Sequence, residues 1–170
     1  MDALFLVLRA AHVLFAAVWV GATVFTTFFL MPAIGEAGPA AGPLMGALMR
    51  RKLPAFMAAI GGLAVLTGIY LLYRFTSGFN PSVSASPPAR MFSIGGLAGI
   101  VALIIGGAIV SRSAKKMGEL GARIATAPDS ERGALAAQMV THRQRATTFS
   151  RIVVVLQLIA LVLMAIGHYV

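Results

Sequence analysis

The chain reads as an all-α integral membrane protein: a four-helix bundle with both termini outside and a basic helical hairpin inside. Three observations predict this. Four apolar stretches reach the roughly 20 residues that a membrane-crossing helix needs. Only 11% of residues are charged while 59% are hydrophobic. The basic residues also crowd into alternate connections. Soluble domains carry about 25% charged residues, and 170 residues cannot bury so much apolar surface in one core. The surrounding solvent is therefore lipid.

The stretches lie near 4–31, 54–74, 91–112 and 146–169, within a single membrane domain covering 1–170. The first holds Arg9 inside an apolar run far longer than the core of a cleavable signal, so it reads as a span. Met31-Pro32 and the Gly- and Pro-rich segment after it (Gly35, Gly38, Pro39, Gly42, Pro43) predict a helix stop and a loop. The second follows Arg50-Arg51-Lys52, with Pro54 in its first turn, where proline is tolerated. Residues 76–89 (TSGFNPSVSASPPA) read as a polar loop. The third contains Gly95, Gly96, Gly99, Gly106 and Gly107, which predict close helix packing. Residues 113–145 are polar helix formers broken by Pro128-Asp129-Ser130. They predict a hairpin: the third helix runs on to about Thr126, turns, and returns as the start of the fourth.

Charge sets the orientation. Arg50, Arg51, Lys52, Arg112, Lys115, Lys116, Arg123, Arg132, Arg143, Arg145 and Arg151 share one side, 11 of the 14 basic residues; Arg9, Arg74 and Arg90 hold the other. The positive-inside rule places the 11 in the cytoplasm of a bacterial-type plasma membrane. The hairpin then lies beside anionic headgroups, so the net charge of +9 calls for no nucleic acid. The chain has no cysteine, which excludes disulfides, thiolate metal sites and covalent haem attachment. The spans contain no Asp or Glu, so paired carboxylate hydrolysis has no residues to work with.

Ionisable and polar groups inside spans are expensive and therefore informative. On span one, Arg9, His12, Trp19, Thr23 and Thr26 fall on one helical face. On span four, Ser150, Gln157, Met164 and His168 do the same. His12 lies roughly 12 Å outward of its span's midpoint, Met164 roughly 9 Å and His168 roughly 15 Å, at 1.5 Å per residue. If spans one and four are neighbours, the three can converge in the outer layer. Thr67, Tyr70 and Tyr73 of span two and Ser93 of span three reach the same level. Imidazole and thioether suit haem iron or copper. Plainer readings compete: His12 as a hydrogen-bonding link between helices, Met164 as core filler, His168 and the tyrosines as interface residues. His142 belongs with the basic hairpin.

The run Leu8-Arg9-Ala10-Ala11-His12-Val13-Leu14-Phe15-Ala16-Ala17-Val18-Trp19-Val20-Gly21 resembles the first helix of the CopD-like membrane superfamily. That group includes CopD copper-resistance proteins, HemJ-type protoporphyrinogen oxidases, the membrane part of PuuD-type urate oxidases and small four-helix proteins. The shared pattern is His12, Trp19, Gly21, the Phe25–Phe29 aromatic stretch and Pro32. Arg50-Arg51, Thr67-Gly68-Ile69-Tyr70-Leu71-Leu72 and Leu163-Met164-Ala165-Ile166-Gly167-His168-Tyr169 are similar too. The resemblance implies a b-type haem or a copper ion in the outer half, with His12 as ligand and Arg9, Trp19 and Tyr70 around the cofactor. The HemJ-type branch has a suspected lysine ligand on its third helix; residues 91–110 contain none, which argues against protoporphyrinogen oxidation.

Three functions follow as expectations. The first is a haem-b redox protein, possessing His12 and either a second ligand or an open position. The second is a copper-binding or copper-transport protein using His12, Met164 and His168. The third is a cofactor-free structural subunit whose hairpin is the interaction surface.

Overall fold

The computed structural model describes residues 2–170, and these contain helices and turns but no strand. Four long helices are apolar enough to cross a membrane: span one (Ala3–Ala37), span two (Leu53–Phe75), span three (Pro87–Thr126) and span four (Asp129–Ile166). The 23 residues of span two make about 35 Å of helix, sufficient for a hydrocarbon core of about 30 Å. Span one packs on two, two on three, three on four, and four closes back more lightly on one.

The spans are built for lipid. Leu66, Phe29, Leu97 and Leu14 are each more than 60% exposed, whereas Thr23, Thr27 and Gln157 are buried. Small residues fill the contacts: Ala64, Ala98, Ala102 and Ala160 are buried, and Trp19, Ala64, Ala102 and Val153 form the central cluster. Without a hydrophobic drive between helices in lipid, small side chains gain van der Waals contact by letting backbones approach.

Span one does not stop at Met31-Pro32. A π-turn over Thr26–Leu30 carries it on to Ala37. Pro32 has no N–H to give, and the wider turn leaves it in the first turn of the next α-segment, where none is needed. The same turn moves the inward register, so Thr27 is buried while Thr26 is only half-buried and bonds back to Ala22 O at 2.5 Å. The Gly- and Pro-rich segment is likewise not a simple loop. It holds a helix, Gly42–Arg50.

The connection between spans two and three is more ordered than its composition predicts. Thr76 is 1% exposed; its hydroxyl donates to Leu72 O at 2.8 Å and accepts from Phe79 N at 3.1 Å. A short helix, Pro81–Ser84, follows, capped by Asn80. At the other end of the molecule the expected hairpin is present. Span three continues to Thr126 and span four begins at Asp129. Leu120, Ala127 and Leu135 are buried between its arms, with Ile124 and Met139 against them.

The glycines of span three differ from expectation. Only Gly95 meets another helix: a side chain there would contact Ala160 O at 3.3 Å and Met164 Cγ at 3.4 Å. Gly96, Gly99, Gly106 and Gly107 have open space beside them. The close approaches in the bundle fall instead on Gly61 and Gly68 of span two.

Candidate functional site

The polar face of span one meets span two through two rings and two glycines. His12 and Trp19 are seven residues apart, as are Gly61 and Gly68. The helices run in opposite directions, so His12 falls on Gly68 and Trp19 on Gly61. A Cβ at Gly68 would lie 2.8 Å from His12 Cε1, and one at Gly61 would lie 2.7 Å from Trp19 Cε2. Any side chain at either glycine would displace a ring. Trp19 is 8% exposed and His12 is half-buried.

This seating fixes the chemistry of His12. Its Nδ1 lies 2.8 Å from Ala64 O and 3.2 Å from Thr67 Oγ1. A carbonyl oxygen can only accept, so Nδ1 carries the hydrogen and donates it to Ala64 O. The Thr67 hydroxyl bonds to its own helix, to Leu63 O at 2.7 Å. In the neutral ring Nε2 then bears the lone pair. No hydrogen bond to Nε2 is present among the described residues. Ligating histidines almost always donate the second ring nitrogen to a carbonyl or carboxylate in this manner, which fixes the tautomer and raises basicity.

The other expected ligands are engaged elsewhere. His168 Nε2 lies 2.9 Å from an Arg9 guanidinium nitrogen. Guanidinium only donates, so His168 Nε2 accepts and its lone pair is taken up. The His168 ring meets Phe92 edge-on at 5.1 Å, and Phe92 meets Phe75 at 5.2 Å. Arg9, Phe75, Phe92 and His168 thereby tie together the ends of all four spans. Asp2 adds an ion pair with Arg74 at 3.1 Å while capping span one through Phe5 N. Met164 packs at Gly95, toward span three. Tyr70 is half-buried and makes no side-chain hydrogen bond among the described residues. Tyr73 packs on Phe79, with ring centres 5.5 Å apart. No group of three or more His, Asp or Glu side chains converges among the described residues.

Deeper in the bundle, Gln157 joins spans four and one. Its Nε2 donates to Thr23 Oγ1 at 3.3 Å, and the Thr23 hydroxyl donates to Trp19 O at 2.7 Å. Gln157 is 2% exposed, and its Oε1 has no partner among the described residues. Spans one and four are therefore neighbours, which was the condition for His12, Met164 and His168 to converge, yet the three side chains have separate partners. Sequence reasoning found His12, Trp19 and Gln157 but missed Ala64, Gly68 and Phe92. The signal for Gly68 was available: two glycines at the same seven-residue spacing as the two rings they receive.

Fold and site together define a four-helix membrane bundle with one histidine, tautomer fixed, seated between its first two spans. No family model, no curated protein and no solved structure matches the chain.

Proposed function

We propose that the protein is a haem-b-binding membrane redox protein of the CopD-like type, in which His12 would hold the iron. The observation that carries this reading is the Nδ1–H bond from His12 to Ala64 O at 2.8 Å, which leaves Nε2 as a lone-pair donor. Gly68 provides the room for the ring. Arg9, one turn nearer the terminal end, supplies positive charge of the kind that attracts a carboxylate-bearing cofactor. The residues would offer the iron one nitrogen, His12 Nε2. A second from His168 requires His168 to leave Arg9.

Haem held there would supply one-electron chemistry. The chain's own part would be to orient the imidazole against Gly68 and keep its hydrogen on Nδ1. Copper has less support, since Met164 and His168 both have other partners. In a cofactor-free subunit the same His12 bond would serve packing alone. The distribution of basic residues supports a bacterial plasma membrane location, with the termini outside and the hairpin in the cytoplasm.

The test is the visible spectrum of detergent-purified protein, oxidised and dithionite-reduced, made with ample haem precursor. The expected result is a b-type Soret band with sharpened reduced bands, lost in His12→Ala. A colourless wild-type protein would overturn the proposal; stoichiometric copper in that protein would favour the metal reading instead.

A further inference from the structure

We propose that span four carries a binding site for one anionic phospholipid where the hairpin enters the membrane. The site is separate from His12 and does not rest on the haem reading. Charge along the hairpin is uneven. The root, residues 112–116 and 142–151, holds Arg112, Lys115, Lys116, Arg143, Arg145 and Arg151 and no acid. The tip between them holds Glu119, Asp129 and Glu131 against Arg123 and Arg132. A soluble acidic partner would be met by the projecting tip. The root's excess of cations faces the headgroup layer instead, where each contributes about 1 kcal/mol of attraction to an anionic leaflet.

One root cation has a built setting. The Arg143 guanidinium occupies the space beside Gly35 of span one that any side chain there would fill. It has no carboxylate partner within 4 Å among the described residues. Arg143 also lines a groove with Val140, Gln144, Thr147 and Thr148. A guanidinium, an amide and two hydroxyls suit phosphate and glycerol oxygens.

Farther along span four a second groove is lined only by Val155, Leu158, Ile159, Val162 and Leu163. Gln144, Thr148, Val155 and Val162 follow at steps of four and seven, so both grooves lie along one helical face. Thr148 to Val162 spans roughly 21 Å, the reach of an acyl chain. A polar, cationic head followed by an apolar track in line has the shape of a phospholipid, not of a free phosphate.

Native mass spectrometry of the full chain in detergent tests this, with dioleoylphosphatidylglycerol, dioleoylphosphatidylcholine and inorganic phosphate as probes. One phosphatidylglycerol is expected to stay bound, with phosphatidylcholine retained roughly tenfold less, because its choline cation opposes the root cations and offers the groove no glycerol hydroxyls. Arg143→Gln should remove that preference, Arg143→Lys should keep most of it, and Arg112→Gln, outside the groove, should leave it intact. Circular dichroism of each variant checks that the helices persist. Equal retention of both lipids would overturn the site. So would equal loss in Arg112→Gln, or full displacement by inorganic phosphate.

Discussion

The spans and the hairpin are both helical, yet each is the other turned inside out. In the spans Leu66 and Phe29 point outward while Thr23 and Gln157 are buried. In the hairpin Leu120 and Leu135 are buried while Lys115 and Lys116 face out. The backbone is the same; the solvent differs. In lipid, association relies on close approach and polar links, which explains rings resting on glycines and a glutamine reaching a threonine. In water, burying a leucine is itself the drive. Substitutions of one chemical kind should therefore have opposite consequences in the two regions.

On the proposed haem reading, His12→Ala should have the largest effect: no haem should be retained, read by absorbance, with the helical content unchanged. Next, Leu135→Ala should cost the hairpin about 2–4 kcal/mol through lost burial and a residual cavity. Hydrogen exchange should report this over 113–142, with no change in the haem spectrum. A matched loss of haem would show that the two regions are not separate. Gly68→Ala should destabilise the bundle by about 1–3 kcal/mol, because a methyl group must displace the His12 ring. Gly96→Ala, with open space beside it, should be silent in the same thermal assay. Equal effects of the two would refute the ring-on-glycine seating. Gln157→Leu should stay within about 1 kcal/mol of wild type, since the substitution removes an unpartnered buried oxygen together with one long hydrogen bond.

The smallest effect concerns the hairpin surface. The Lys116 hydrogen bond at 2.8 Å, aided by its charge, holds the exposed Glu119 carboxyl below its ordinary range. A lowered folded value means that this contribution is present above the unfolded value and fades as pH falls through the folded one. Lys116→Ala should raise the Glu119 titration toward the ordinary value, measured by carboxyl NMR, with no resolvable change in melting temperature. An unmoved titration would show that the pair is not formed in solution.

Much of the fold was legible because lipid makes strong demands on sequence. A run of about twenty apolar residues has few other uses, and Pro128-Asp129 marks the hairpin turn plainly. Pro32 misled because proline's local rule holds for an α-helix, whereas a π-turn upstream removes the conflict. The span-three glycines misled for a related reason: small residues permit approach but do not compel it, and partner choice is a property of the whole bundle. At the site, helical periodicity identified the inward faces of spans one and four. It did not reveal that Arg9 would take His168, because depth along two separate helices does not determine which side chains meet. Nor could it reveal Ala64, whose contribution is a backbone carbonyl.

The most direct test of the central claim is chemical rescue. His12→Gly leaves a ring-sized space against Gly68 and should purify without a Soret band. Added imidazole should restore the band in this variant, and 1,3-dimethylimidazolium, blocked at both nitrogens, should not. A His12→Gly protein that keeps full haem without imidazole would contradict the account and move the ligand to another residue.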